Sequence, residues 1–168
     1  IGLSIILSFS SCDVKSLSGL NVTGKVGEIL VVCDDTIWAS PVKAELDTAL
    51  TQFIMPYFPD VPTFELVHRN SKTFDGAIKR HRNVLFLNLD KSYGDPNPIV
   101  ESRKDVWANR QLVIEVTAKN LEQLYSYCAN GLPEIHSQFD FAEWNRIRRY
   151  FAEKQSTFVN DKIAGNFG

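Results

Sequence analysis

Val26-Gly27-Glu28-Ile29-Leu30-Val31-Val32-Cys33 runs directly into Asp34-Asp35. A short Val- and Ile-rich run bounded by glycine on one side and a pair of aspartates on the other reads as a largely buried strand. This strand sets the frame for the rest. After it, Ser40-Pro41 is an N-cap and first-turn pair, and Val42, Leu46, Ala49, Leu50, Phe53 and Ile54 recur at helical spacing up to Pro56, which predicts a helix of about four turns. Pro56, Pro59 and Pro62 interrupt regular structure until Phe64–His68, whose alternation is that of a half-buried strand. Asn83–Leu89 (NVLFLNL) is a third strand, the segment Asp90–Pro98 is a turn-rich loop, and Gln111–Ala118 (QLVIEVTA) is a fourth strand.

The remainder reads as helix. Asn120 can cap a segment carrying Leu121, Leu124, Tyr125 and Cys128 on one side, with a break or kink at Gly131 and Pro133. From Phe141 the spacing of Trp144, Ile147, Arg148 and Phe151 predicts a further helix, with Arg146 and Arg149 on its wet side. The expected fold is therefore α+β: a mixed sheet of about four strands with helices packed mainly on one face.

Ahead of this domain, Ile1–Phe9 contains six large apolar side chains and no charge, ending in Ser10, Ser11 and Cys12. Such a run is too short to span a bilayer of roughly 30 Å but fits the apolar core of a secretory signal. Small residues directly before a cysteine resemble a lipobox, the acylation site of bacterial lipoproteins, with Phe9 where leucine is usual. The expected organisation is a truncated signal peptide over 1–11, a lipidated Cys12 with a tether over 12–24, and a globular domain over 25–168 that is truncated at its C-terminus. The partners this implies are a membrane, reached through the lipid on Cys12, and an envelope ligand or protein. The alternative is an apolar N-terminal element whose cysteine belongs to a core.

The bulk numbers fit one ordinary domain: 168 residues, 44% hydrophobic and 23% charged, with a net charge of −2. That charge gathers neither nucleic acid nor an anionic surface, so no nucleic-acid partner is expected. Cys33 and Cys128 could oxidise outside the cytoplasm or stay as two separate buried thiols.

Three patterns then carry a resemblance. Gly27–Val32 leading into Asp34-Asp35 and Trp38, Arg80–Leu85, and Lys104–Ala108 with Gln111–Val113 together look like an uncharacterised family of Bacteroidota lipoproteins known as a domain of unknown function. Members of that family run to about twice this length, which implies a missing C-terminal half. The loop Ala39–Lys43 departs from the glycine-rich version of the family. The resemblance implies no activity, cofactor or partner.

Candidate chemistry is sparse. Asp34 and Asp35 follow the first strand, where open sheets collect ligands, and paired carboxylates suit Mg²⁺ or Ca²⁺. Asp90, after the third strand, resembles the later acidic residue of a response-regulator receiver. One aspartate capping a turn and the other solvated is the plain alternative. Lys79-Arg80-His81-Arg82 could bind an anion, a lipid headgroup or a sugar acid, or could be a solvated loop. With the third strand antiparallel to the first, Asp34, Asp35, Trp38 and Arg82 would meet. Trp38 and Trp107 suit carbohydrate or peptide stacking, or core packing. No cofactor motif, nucleophile elbow, phosphate loop or zinc-protease helix is present. Two readings stay open: an envelope binding or scaffolding module, and a divalent-metal-assisted hydrolase using Asp34 and Asp35 with Arg82 steadying negative charge.

Overall fold

The computed structural model describes residues 20–51 and 63–164. Five strands form one mixed sheet: β1 (Glu28–Val32), β2 (Glu65–Arg69), β3 (Asn83–Leu89), β4 (Ile99–Lys104) and β5 (Leu112–Ala118), in the order β2-β1-β3-β5-β4. The helices are α1 (Asp35–Trp38), α2 (Val42–Leu50) and α3 (Leu121–Ala164), and 3-10 turns at Ser71–Thr73 and Gly76–Arg80 lie between β2 and β3. β2, β1, β3 and β5 are parallel, and β4 pairs antiparallel with β5 at the edge. The expected mixed sheet with helices mainly on one face is found, and its largely parallel order makes the architecture α/β.

The continuous apolar run of β1 follows from its place inside a parallel sheet, where both faces are covered. On one face Ile29, Val31 and Cys33 join Leu85, Leu87, Ile114 and Val116 beneath α2 (Val42, Leu46, Leu50) and α3 (Leu124, Leu132, Ile135, Phe139). On the other, Leu30, Val32, Val84 and Val113, with Phe86 of β3 beside them, are covered by Phe74, Ile78, Val106 and Trp107 from loops and 3-10 turns. Each face takes alternate residues of the same strands, as the period of two requires.

Several expectations need correcting. α2 ends at Leu50, with Thr51 as its C-cap; Phe53, Ile54 and Pro56 lie outside the described residues. Pro41 occupies the N-cap position, and the Ser40 hydroxyl accepts a bond from the Val42 N–H at 3.3 Å. β4 escaped the sequence reading because all six of its residues are exposed, so no buried alternation marks it. Its Glu101, Arg103 and Lys104 charge the sheet edge against further pairing.

α3 is one helix through Gly131 and Pro133. Pro133 removes the donor that the Ala129 carbonyl would use. Ala129 and Pro133 are exposed, which leaves that carbonyl open to solvent. Beyond Phe139 the helix departs from expectation at Trp144, Arg146, Arg148 and Phe151, while Arg149 is exposed and Ile147 half-buried as expected. Trp144 is 60% exposed and Phe151 58%, with Arg148 also outside, whereas the Arg146 side chain is only 10% exposed. Here α3 passes the end of the apolar core and lies along buried polar groups at the sheet's amino end, which need charged partners more than aromatic ones.

β1 and β3 are parallel, with Leu30 beside Val84 and Val32 beside Phe86. Arg82 and Asn83 therefore lie near the start of β1, while Asp34, Asp35 and Trp38 follow its end, roughly 15 Å away along the strand. The expected meeting of Asp34, Asp35 and Trp38 with Arg82 does not occur.

The facing of α3 has a direct test. Phe139→Ala is expected to lower unfolding stability by about 3–5 kcal/mol and Trp144→Ala by less than about 0.5 kcal/mol, both read as shifts of the urea midpoint.

Candidate functional site

At the carboxyl end of the sheet, each candidate side chain has a local partner. Asp34 sits at the N-cap position of α1 without capping it, and its carboxylate accepts from the Ser71 hydroxyl. Asp35 lies 3.9 Å from His68 Nε2 and is largely exposed. That His68 nitrogen is 3.2 Å from the Cys33 carbonyl, which can only accept, so Nε2–H ties the end of β2 to the end of β1. Trp38 stacks flat on His68 at 4.6 Å, and Lys43 Nζ lies 5.3 Å from the indole centroid. Trp38 is thus a packing residue of this corner. Asp90 accepts from both the N–H and the hydroxyl of Ser92, which hold its carboxyl below the usual range. Among the described residues, no group of three or more His, Cys, Asp or Glu side chains could hold a metal ion.

Cys33 and Cys128 are free and buried in the same core cluster. Desolvation is the main cause that pushes each thiol up to about 12, with Asp34 and Asp35 adding to the rise at Cys33 and Glu45 at Cys128. Neither is a nucleophile at neutral pH. Cys12 lies outside the described residues.

The amino end of the sheet is different. The basic run splits: Lys79 and Arg80 stay on a 3-10 turn, while His81 and Arg82 turn inward. His81 Nδ1 donates to the Asn83 carbonyl at 2.9 Å, and its Nε2 lies 2.6 Å from Glu28 Oε1. Gly24 passes so close to this ring that a Cβ there would lie 2.4 Å from His81 Nε2, and its φ of +87° already favours glycine. Asn83, wholly buried at the start of β3, donates to the Glu28 carbonyl at 3.1 Å and to Glu143 Oε1 at 2.8 Å. Gln111 spans the next gap, donating to the Lys79 and His81 carbonyls and accepting from Trp107 N–H at 2.9 Å.

Glu143 of α3 is the carboxylate at the centre. Arg82 Nη1 donates to its Oε2 at 3.0 Å, and Arg146, one turn further along α3, brings Nη1 to 3.0 Å from its Oε1. Arg146 also donates through Nη2 to the Arg82 carbonyl and Asn83 Oδ1, both at 2.9 Å, and through Nε to the Arg110 carbonyl at 2.8 Å. Arg110 presents that carbonyl from a left-handed backbone, φ +69°, and its own guanidinium goes to Glu153. Burial pulls the Arg146 guanidinium below its ordinary value, and Glu143 opposes the shift. Within this cluster two buried N–H groups lack an acceptor among the described residues, Arg82 Nε and Arg146 Nη1; the latter meets Glu143 at ion-pair distance but off the line of a hydrogen bond.

Arg146 stands between two cavities. One, of about 520 Å³, lies between residues 21–26 and α3, with Arg82, Glu143, Ile147, Tyr150 and Phe151 in its wall. The other, of about 360 Å³, extends past Asn109 and Arg110 toward Ser102, Gln138 and Phe141. The last residues of the expected tether form part of this region. Asn21 bridges to Asn109 and Thr23 to His81, while residues 12–19 lie outside the described part.

Trp107 lies on the opposite face of the sheet, with ring centroids 5.5 Å from Phe74 and 6.3 Å from Phe86. Its edge lines a smaller cavity, of about 350 Å³, with Leu20, Lys79 and Arg80. Of the sequence candidates, then, Arg82 belongs to the amino-end cluster, Asp34, Asp35 and Trp38 to the opposite end, and Trp107 to the far face. The sequence reading missed Asn83, Gln111, Glu143 and Arg146. The available signal was a polar residue at the first position of an apolar strand, at Asn83 and again at Gln111. Each needs a partner once buried.

Gly24→Ala is expected to displace His81 from Glu28 and lower stability by at least about 2 kcal/mol. Gly76→Ala, at φ +55° with open space around it, should cost only about 1 kcal/mol. Paired urea titrations measure both.

Residues 22–152 match the model of a family described as Domain of unknown function (DUF8532). No curated protein and no solved structure matches the chain.

Proposed function

This chain belongs to the DUF8532 family, whose description names no activity, and we propose that it is an envelope binding module whose site is the arginine-walled cavity at the amino end of the sheet. One observation carries this reading: Arg82 and Arg146 share the single carboxylate Glu143, and each keeps a buried N–H without an acceptor beside a cavity. A buried guanidinium is costly unless its charge and donors are matched. An arriving anion would match them, and the planar fork of arginine suits carboxylate or phosphate oxygens.

The address remains as the sequence suggests: a lipoprotein held at a membrane by acyl chains on Cys12, by analogy with the lipobox pattern. Among the described residues no helix is long and apolar enough to cross a membrane. Stable anchoring through one cysteine needs more than one acyl chain, which lipoprotein processing supplies.

A second reading, metal-assisted hydrolysis at Asp34 and Asp35, has position in its favour. Strand order reverses between β1 and β3, and ligands of open parallel sheets gather at the carboxyl ends beside such a reversal. It lacks the arginine first associated with it, because Arg82 lies at the other end of the sheet. Calorimetric titration with Mg²⁺, Ca²⁺, Mn²⁺ and Zn²⁺ decides it: heat in the wild type that is lost in Asp35→Asn supports it, and no heat at millimolar metal removes it.

For the leading reading, phosphate or acetate at constant ionic strength is expected to raise the thermal midpoint of the wild type by a few degrees and that of Arg146→Gln not at all. Equal shifts in both proteins would refute it. For the address, Cys12→Ala is expected to move the protein from the membrane pellet to the soluble fraction, and unchanged pelleting would refute the anchor.

A further inference from the structure

Resting on the binding-module reading above, we infer that the larger cavity takes an amphipathic anion: one carboxylate or phosphate head on Arg82 and Arg146, and an alkyl chain along Val22, Val26, Ile147 and Phe151. The head follows from unmet donors on charged groups. Arg82 and Arg146 share Glu143 as their ion-pair partner, and the more distant, exposed Asp105 also acts on Arg146. Glu153 pairs with Arg110. An anionic head offers acceptors to Arg82 Nε and Arg146 Nη1, two guanidinium N–H groups left without one among the described residues.

The chain follows from the rest of the wall. Val26 is 65% exposed, and Tyr150 and Phe151 are more than half exposed, although all three border the same hollow as the buried arginines. Apolar surface gathered round a charged floor is the arrangement expected for a ligand with an apolar body and one polar end. A free inorganic anion would satisfy Arg82 and Arg146 but leave this wall wet. At about 520 Å³ the hollow falls within the roughly 300–1,000 Å³ range of small-molecule sites. A fatty acid and an anionic membrane lipid share this chemistry.

The experiment is a calorimetric series on the protein with acetate, hexanoate and decanoate, each below its micelle concentration, with decanol as the uncharged control. Affinity is expected to rise steeply from hexanoate to decanoate, up to about fourfold for each buried methylene, with decanol at least tenfold weaker than decanoate. Arg146→Gln should lose decanoate binding at least tenfold. Phe151→Ser, at an exposed position where folding is not at risk, should flatten the chain-length dependence while leaving the phosphate-induced thermal shift intact. Vesicles of phosphatidylcholine with and without phosphatidylglycerol identify the source. Selective binding to the anionic vesicles, lost in Phe151→Ser, supports a membrane lipid; decanoate binding without vesicle binding supports a free acid. Decanoate no tighter than acetate would overturn the amphipathic ligand while leaving an anion site in place. Decanol as tight as decanoate would overturn the anionic head, and no binding of any anion would overturn both this inference and the binding-module reading.

Discussion

A single carboxylate organises one end of this protein. Glu143 sits on α3 just past the point where the helix leaves the apolar core, and it accepts from Asn83 and Arg82 while pairing with Arg146. Through Asn83 it reaches the backbone of β1, and through Arg146 it reaches the carbonyls of Arg82 and Arg110, which precede β3 and β5. One acidic side chain thereby fixes the approach of a long helix to three strands. Without it, two largely buried guanidinium groups would lose their shared ion-pair partner, a far larger penalty than the loss of an exposed ion pair.

The sheet consequently has two chemically different ends. At the carboxyl end the largely exposed Asp34, Asp35 and Asp90 meet Ser71, His68 and Ser92, contacts that hold the turns after β1 and β3. At the amino end the charges are internal, linked across distant segments, and bordered by cavities. Parallel strands create this division, because the loops entering the sheet gather on one side and those leaving it on the other. The left-handed backbone at Arg110 and the close passage of Gly24 over His81 belong to the entering side. Uncommon backbone conformations there are held by the surrounding bonds, as expected where a structure over-determines local geometry.

What could be read in advance followed from apolar periodicity. β1, β3 and β5 announce themselves as runs of Val, Ile and Leu, and α2 through Val42, Leu46 and Leu50, because burial of these residues decides their structure locally. Strand direction could not be read this way, since parallel and antiparallel neighbours can have the same internal pattern; the supposed meeting of Asp35 with Arg82 failed on that point alone. β4 was invisible because an exposed edge strand has no dry face to mark it. On α3, aromatic residues at helical spacing suggested a buried stripe at Trp144 and Phe151, but the adjoining surface is polar and takes Glu143 and Arg146 instead. A pattern on one helix cannot reveal what lies opposite, and buried charge is legible only once its partners, dozens of residues away, are brought together.

The central claim is that Glu143 and Arg146 stabilise the fold as one coupled unit with Asn83 and Arg82. A double-mutant cycle on Glu143→Gln and Arg146→Gln, read by urea unfolding, tests it most directly. The account predicts that each single change costs about 3 kcal/mol or more. It also predicts that the double variant falls short of their sum by at least about 1.5 kcal/mol. Additive costs within about 0.3–0.5 kcal/mol would contradict it, because the two side chains would then be acting as independent surface groups.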